Sequence, residues 1–98
     1  MPPLVLDEEH VFIFKFWFAD TIQNGMYYQN ELFCQLVVVE VHQRSQLYQL
    51  SCKFARNEGL VVTCSKTGCR LWGSLRDDFV KELILNPSML ELPSKSLL

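Results

Sequence analysis

Between Glu9 and Phe18 the chain reads EHVFIFKFWF, with phenylalanine recurring at positions 12, 14, 16 and 18. A spacing of two is the side-chain period of a β-strand, whose successive residues point to opposite faces. The opposite set, Val11, Ile13, Lys15 and Trp17, is nearly as apolar. A strand of this kind needs cover on both sides, from its own chain or from another. The fold must therefore contain a sheet, and both faces of that sheet must be accounted for.

The turns suggest how the sheet is built. Asn24-Gly25 predicts a type I′ hairpin turn, because both residues tolerate positive φ. That register sets Phe16 opposite Phe33, Phe12 opposite Val37 and Trp17 facing Leu32, with a second strand over Tyr28 to Val41. After a polar break, HQRSQ at 42–46, the stretch from Leu47 to Trp72 reads as three short strands. Two similar turns separate them, Arg56-Asn57-Glu58-Gly59 and Ser65-Lys66-Thr67-Gly68. Each ends in glycine where a type I turn with a G1 bulge needs a left-handed residue. Val41 then faces Tyr48, Phe54 and Trp72 both face Val62, and Cys52 faces Cys64, with the large apolar residues gathered on one face.

Beyond the strands, SLRDDFVKELILN carries an apolar stripe of Leu75, Phe79, Val80, Leu83 and Ile84. Ser74 and Asp77 form a weak capping box at its start, and Asn86-Pro87 is a stop signal. The expected architecture is α+β: a five-stranded antiparallel β-meander over residues 9–74, free to curl into a half-barrel. One C-terminal α-helix at 75–85 packs on one face. Residues 1–86 form a single domain and 87–98 a short C-terminal tail. In architecture alone, such a meander followed by a helix resembles small dimeric single-strand-binding transcription coactivators.

A chain of 98 residues supports one core, and 49% hydrophobic with 20% charged residues describes a globular protein rather than a disordered one. The run from Val11 to Phe14 is far too short to span a membrane. MPPLVLDEE at the start is not a basic leader followed by an apolar segment, so the expected location is cytoplasmic. The four cysteines then read as reduced thiols.

Charge is unevenly distributed. Residues 1–40 hold six carboxylates against Lys15, whereas residues 41–98 hold eight basic groups against five acidic ones. Arg56, Lys66, Arg70 and Arg76 form a basic rim that could meet an anionic partner.

Catalytic signals are weak. Cys64 and Cys69 make a C-x4-C without a second ligand pair, so neither zinc nor another metal is expected. A redox pair of Cys52 with Cys64 is conceivable only as a strained cross-strand link. His10 and His42 fall at strand ends, Asp77 and Asp78 point apart on a helix, and the glycines are explained by turns. The expectation is a non-enzymatic protein without a cofactor.

One helix cannot cover both faces of the expected sheet. Val11, Ile13, Trp17, Leu32, Leu36 and Val38 remain on the outer face of the first two strands. They are the expected protein interface, through which a small regulatory or interaction module binds a protein partner or a second copy of itself. The alternative is a single-stranded nucleic-acid binder working through the basic rim.

Overall fold

A computed structural model of the chain describes residues 4–18, 20–54 and 59–91. It is an α+β fold with one six-stranded sheet and two α-helices. The strands are β1 (Leu4–Asp7), β2 (Phe12–Phe18), β3 (Thr21–Tyr28), β4 (Glu31–Glu40), β5 (Leu60–Cys64) and β6 (Gly68–Ser74). The helices are α1 (Arg44–Lys53), between β4 and β5, and α2 (Asp78–Leu85), after β6. Across the sheet the order is β1-β5-β6-β4-β3-β2. Only β1 with β5 is parallel, so the sheet is mixed rather than a five-stranded antiparallel meander. The architectural likeness that rested on a meander lapses with it.

Asn24 and Gly25 lie inside β3 and make no turn. The chain instead reverses between Phe18 and Thr21, which pair with each other, and at Gln29-Asn30, where Tyr28 pairs with Glu31. Gln29 and Asn30 have φ of 50° and 64°, the paired left-handed conformation of a type I′ turn. Gly25 is needed for space: a Cβ there would lie 2.9 Å from the Phe16 ring and 3.0 Å from that of Phe14. Two hairpins therefore replace one, and β3 separates the strands expected to pair directly.

The segment expected to be the third strand is α1. Residues 44–54 contain no β-branched side chain, which removes the main preference for a strand. Leu47, Leu50, Ser51 and Phe54 follow the helical spacing and are buried, while Tyr48 and Cys52 are exposed. Cys52 therefore cannot oppose Cys64. β4 and β5 run parallel with β6 between them, and α1 is the crossover that joins them.

The β5–β6 turn is one residue shorter than expected. Ser65 pairs with Gly68 through a 2.8 Å backbone hydrogen bond, so Cys64 faces Cys69 and Val61, not Val62, faces Trp72. Gly68 does not have positive φ, so the G1 bulge expected in the Ser65–Gly68 turn does not form. Gly68 answers another need, because a Cβ there would strike the Val39 carbonyl oxygen of β4. Residues 55–58, including the expected turn at Arg56, lie outside the described residues. After β6, Ser74 ends the strand instead of opening a helix, and the Asp77 carboxylate caps α2 by accepting from the Phe79 amide at 2.9 Å.

Two cores result. Between the sheet and the helices, Leu47, Leu50, Leu71, Val80 and Leu83 are fully or almost fully enclosed. Leu90, in the 3-10 turn Pro87–Leu90, joins them. β4 slips register between Gln35 and Val37, and this bulge turns both Leu36 and Val37 toward the helices. The second core, on the opposite face, gathers around Trp72 with Met26, Phe33 and Val61, against which Leu6, Val11, Ile13 and Tyr28 pack.

Neither α1 nor α2 contributes to that second core; the chain itself curves around it. β1 and β2 stand at opposite margins of the sheet, about 24 Å apart if six strands lay flat. Residues 8–11 join them, and the path from Asp7 to Phe12 can reach at most about 18 Å. The sheet must bend to close the difference. The linker is held on the Trp72 face by a chain of two hydrogen bonds, the first buried and the second partly so: Trp72 Nε1 donates to Thr63 Oγ1 at 2.8 Å, and Thr63 Oγ1 donates to Glu8 Oε2 at 2.8 Å. Arg70 Nε stands 3.6 Å from the same carboxylate oxygen.

Candidate functional site: an aromatic hairpin at the sheet margin

Four of the exposed large apolar residues share one hairpin. Phe12, Trp17, Ile22 and Tyr27 all lie on the β2–β3 hairpin, and Trp17 is 72% exposed. Because phenylalanine occupies every second position, the four rings of β2 stand in one row. Ring centroids are 5.6 Å apart for Phe12–Phe14, 6.1 Å for Phe14–Phe16 and 6.4 Å for Phe16–Phe18. Tyr27 of β3 stacks on Phe14 at 5.2 Å. Register links Phe14 through Gly25 and Cys34 to Gly73, which lies under α2. The row thus occupies the helix side of the sheet, yet none of its rings belongs to either core.

On the other face of β2, Ile13 packs into the second core, Lys15 is exposed, and Trp17 stands opposite Ile22, itself 59% exposed. β2 is also the last strand of the sheet, so its outer row of N–H and C=O groups has no ladder partner among the described residues. Sheet margins are usually blunted by proline, bulges or several charges. β2 carries one such device, Lys15.

The six residues expected to form the interface are not brought together. Trp17 is exposed on the hairpin and Val38 is exposed on β4, opposite Arg70. Val11 and Ile13 support the second core, Leu36 packs toward the helices, and Leu32 is half-buried on β4. The phenylalanine rings of β2 were expected inside; the pairing of Phe18 with Thr21, which leaves β2 at the margin, is the feature that relocates them. The basic rim is also divided. Lys66 lies in the turn before β6 and Arg76 beyond its far end, roughly 20 Å away along the strand. Arg70 faces Glu8, and Arg56 lies outside the described residues.

Two pockets open elsewhere. One of about 440 Å³ lies between β1, α1 and β5, lined by Val5, Arg44, Ser45, Tyr48, Val62 and Cys64. Another of about 400 Å³ sits beside the β5–β6 turn, between Val38, Glu40, Gln43, Thr67 and Arg70. Among the described residues no group of three or more His, Cys, Asp or Glu side chains is placed to hold a metal ion, and no helix is long and apolar enough to cross a membrane. Burial pushes the Cys34 thiol up to about 11. Compared with known proteins, the chain matches no family model, no curated protein and no solved structure at a significant level.

Proposed function

We propose that this protein is a small non-enzymatic interaction module that associates with a second copy of itself through the outer edge of β2. The observation that carries this reading is the margin strand FIFKFWF, apolar on both faces and without a ladder partner on its outer edge among the described residues. Its pattern is also symmetric about Lys15. An antiparallel copy paired there sets Phe14 against Phe16, Phe12 against Phe18 and Ile13 against Trp17, so the aromatic row of one chain continues into the next. Such a twofold contact is self-complementary, as closed dimers require, and strand addition at a sheet edge is a recurring mode of recognition.

The same register brings Lys15 of each copy together at the axis, where like charges oppose pairing. Salt screens that repulsion, so dimerisation strengthens as salt rises. Single-stranded nucleic-acid binding has the opposite sign, because phosphate contacts weaken with salt. That reading draws less support, since its basic side chains are divided between the two ends of β6. Light scattering of the purified chain at low and high salt tests the proposal: a dimer favoured by salt and lost in Trp17→Ala is expected. A single-chain mass at every concentration, indifferent to Trp17→Ala, overturns it.

A further inference from the structure

The β5–β6 hairpin carries a feature that the edge of β2 does not use. Ser65 and Gly68 form the hydrogen-bonded rung that closes its turn. In an antiparallel ladder the next rung out is of the non-hydrogen-bonded kind, where Cα atoms approach to about 4.5 Å and side chains lie closest. Cys64 and Cys69 occupy that rung. Their sulfurs stand 2.7 Å apart, both as free thiols. A Cα separation of about 4.5 Å lies at the short end of the range that disulfides span, so the pair can close as a tight cross-strand link.

The two thiols differ in access. Cys69 is fully buried, and burial together with the neighbouring Cys64 pushes its thiol up to about 12. Cys64 is half-buried and lines the 440 Å³ pocket beside Arg44. Near the buried Cys69 the guanidinium of Arg44 favours negative charge and the carboxylate of Glu8 opposes it.

We propose that Cys64 and Cys69 are a built-in oxidation site, at which a hydroperoxide entering the pocket converts the two thiols into a cross-strand disulfide. Cys64, as thiolate, attacks the distal oxygen of the peroxide. The O–O bond breaks, and the leaving oxygen departs as alcohol or water with a proton, leaving a sulfenic acid on Cys64. The Cys69 sulfur then attacks the Cys64 sulfur, the S–O bond breaks, and the departing hydroxide takes the Cys69 proton to form water. The thiols lose two electrons and two protons, and the peroxide takes up both as it is reduced to alcohol or water and a further water.

The sequence makes the test direct, because trypsin leaves the four cysteines on four peptides: 16–44, 45–53, 57–66 and 67–70. The reduced full-length chain is treated with hydrogen peroxide in its folded state, then alkylated in denaturant and digested. Peptide 57–66 joined to 67–70, with Cys34 and Cys52 alkylated, is the expected result. Recovery of Cys64 and Cys69 both alkylated while the exposed Cys52 has been oxidised overturns the proposal, as does a link from either sulfur to Cys52. Cys69→Ser supplies a second readout: Cys64 should stop as a sulfenic acid and take up dimedone, and absence of that adduct in the folded variant removes Cys64 as the entry thiol. Should that variant fail to fold, the peptide map of the unaltered chain decides alone.

Discussion

Trp17 and Trp72 both sit in hairpin strands, seven residues long in each case, yet Trp72 is wholly enclosed and Trp17 is 72% exposed. Trp72 has strands on both sides and an indole N–H that ends on a buried hydroxyl. Trp17 has a strand on one side only, and the linker that bends the sheet packs over Trp72 instead. The contrast separates two uses of one side chain, since a buried indole holds a fold together and an exposed one at a margin is available to another molecule.

The comparison can be broken at either end. Trp72→Ala has the largest expected effect: removing a fully buried indole should cost about 3–5 kcal/mol of stability in denaturant unfolding. Trp17→Ala should leave the unfolding midpoint almost unchanged, within about 0.5 kcal/mol, while weakening self-association by about 2 kcal/mol or more in sedimentation measurements. Equal losses of stability in the two variants would show that no such division exists. Thr63→Val leaves both the indole N–H and the Glu8 carboxylate without their shared partner and should destabilise the fold by about 1–3 kcal/mol. Lys15→Gln should act on Trp17's side of the comparison alone, strengthening association by about 0.2–1 kcal/mol and flattening its salt dependence.

A further prediction concerns alkaline pH. The Cys34 and Cys69 thiols are raised from 9.0 to about 11 and about 12, chiefly by burial. Their contribution is intact below the unfolded value near 9 and is lost as pH rises through the folded values, because the unfolded chain releases these protons first. Midpoints measured at about pH 8 and about pH 10 should therefore fall with pH.

Much of this was readable from local pattern. The alternation in β2, the β5–β6 hairpin, the apolar stripe of α2 and its stop at Asn86 all follow from spacing and turn chemistry. The candidate site was half legible: Trp17 was assigned to a surface, but the phenylalanines beside it were assigned to the core. What could not be read was set by choices between nearly equal local signals. Asn24-Gly25 is a strong turn pair, yet Gly25 serves close packing against two rings, which only tertiary structure reveals. Tyr48, Leu50 and Cys52 alternate as a strand would, whereas Leu47, Leu50 and Phe54 repeat as a helix does, and only the lack of β-branched residues separated the two. A one-residue difference in the β5–β6 turn moved Trp72 to the opposite face, since strand side chains reverse with every step.

The linker that bends the sheet also orders events in time. Glu8 and Thr63, whose side chains meet beneath it, lie 55 residues apart in the chain, and β1 has no place to pair until β5 exists. The β2–β3–β4 ribbon, built from neighbouring turns, needs no such wait, and contacts between distant segments form slowest. The ribbon that carries the aromatic edge of β2 is therefore expected to form during synthesis before the second core behind it can close. For that interval the growing chain offers its most adhesive strand from a sheet that has not yet bent.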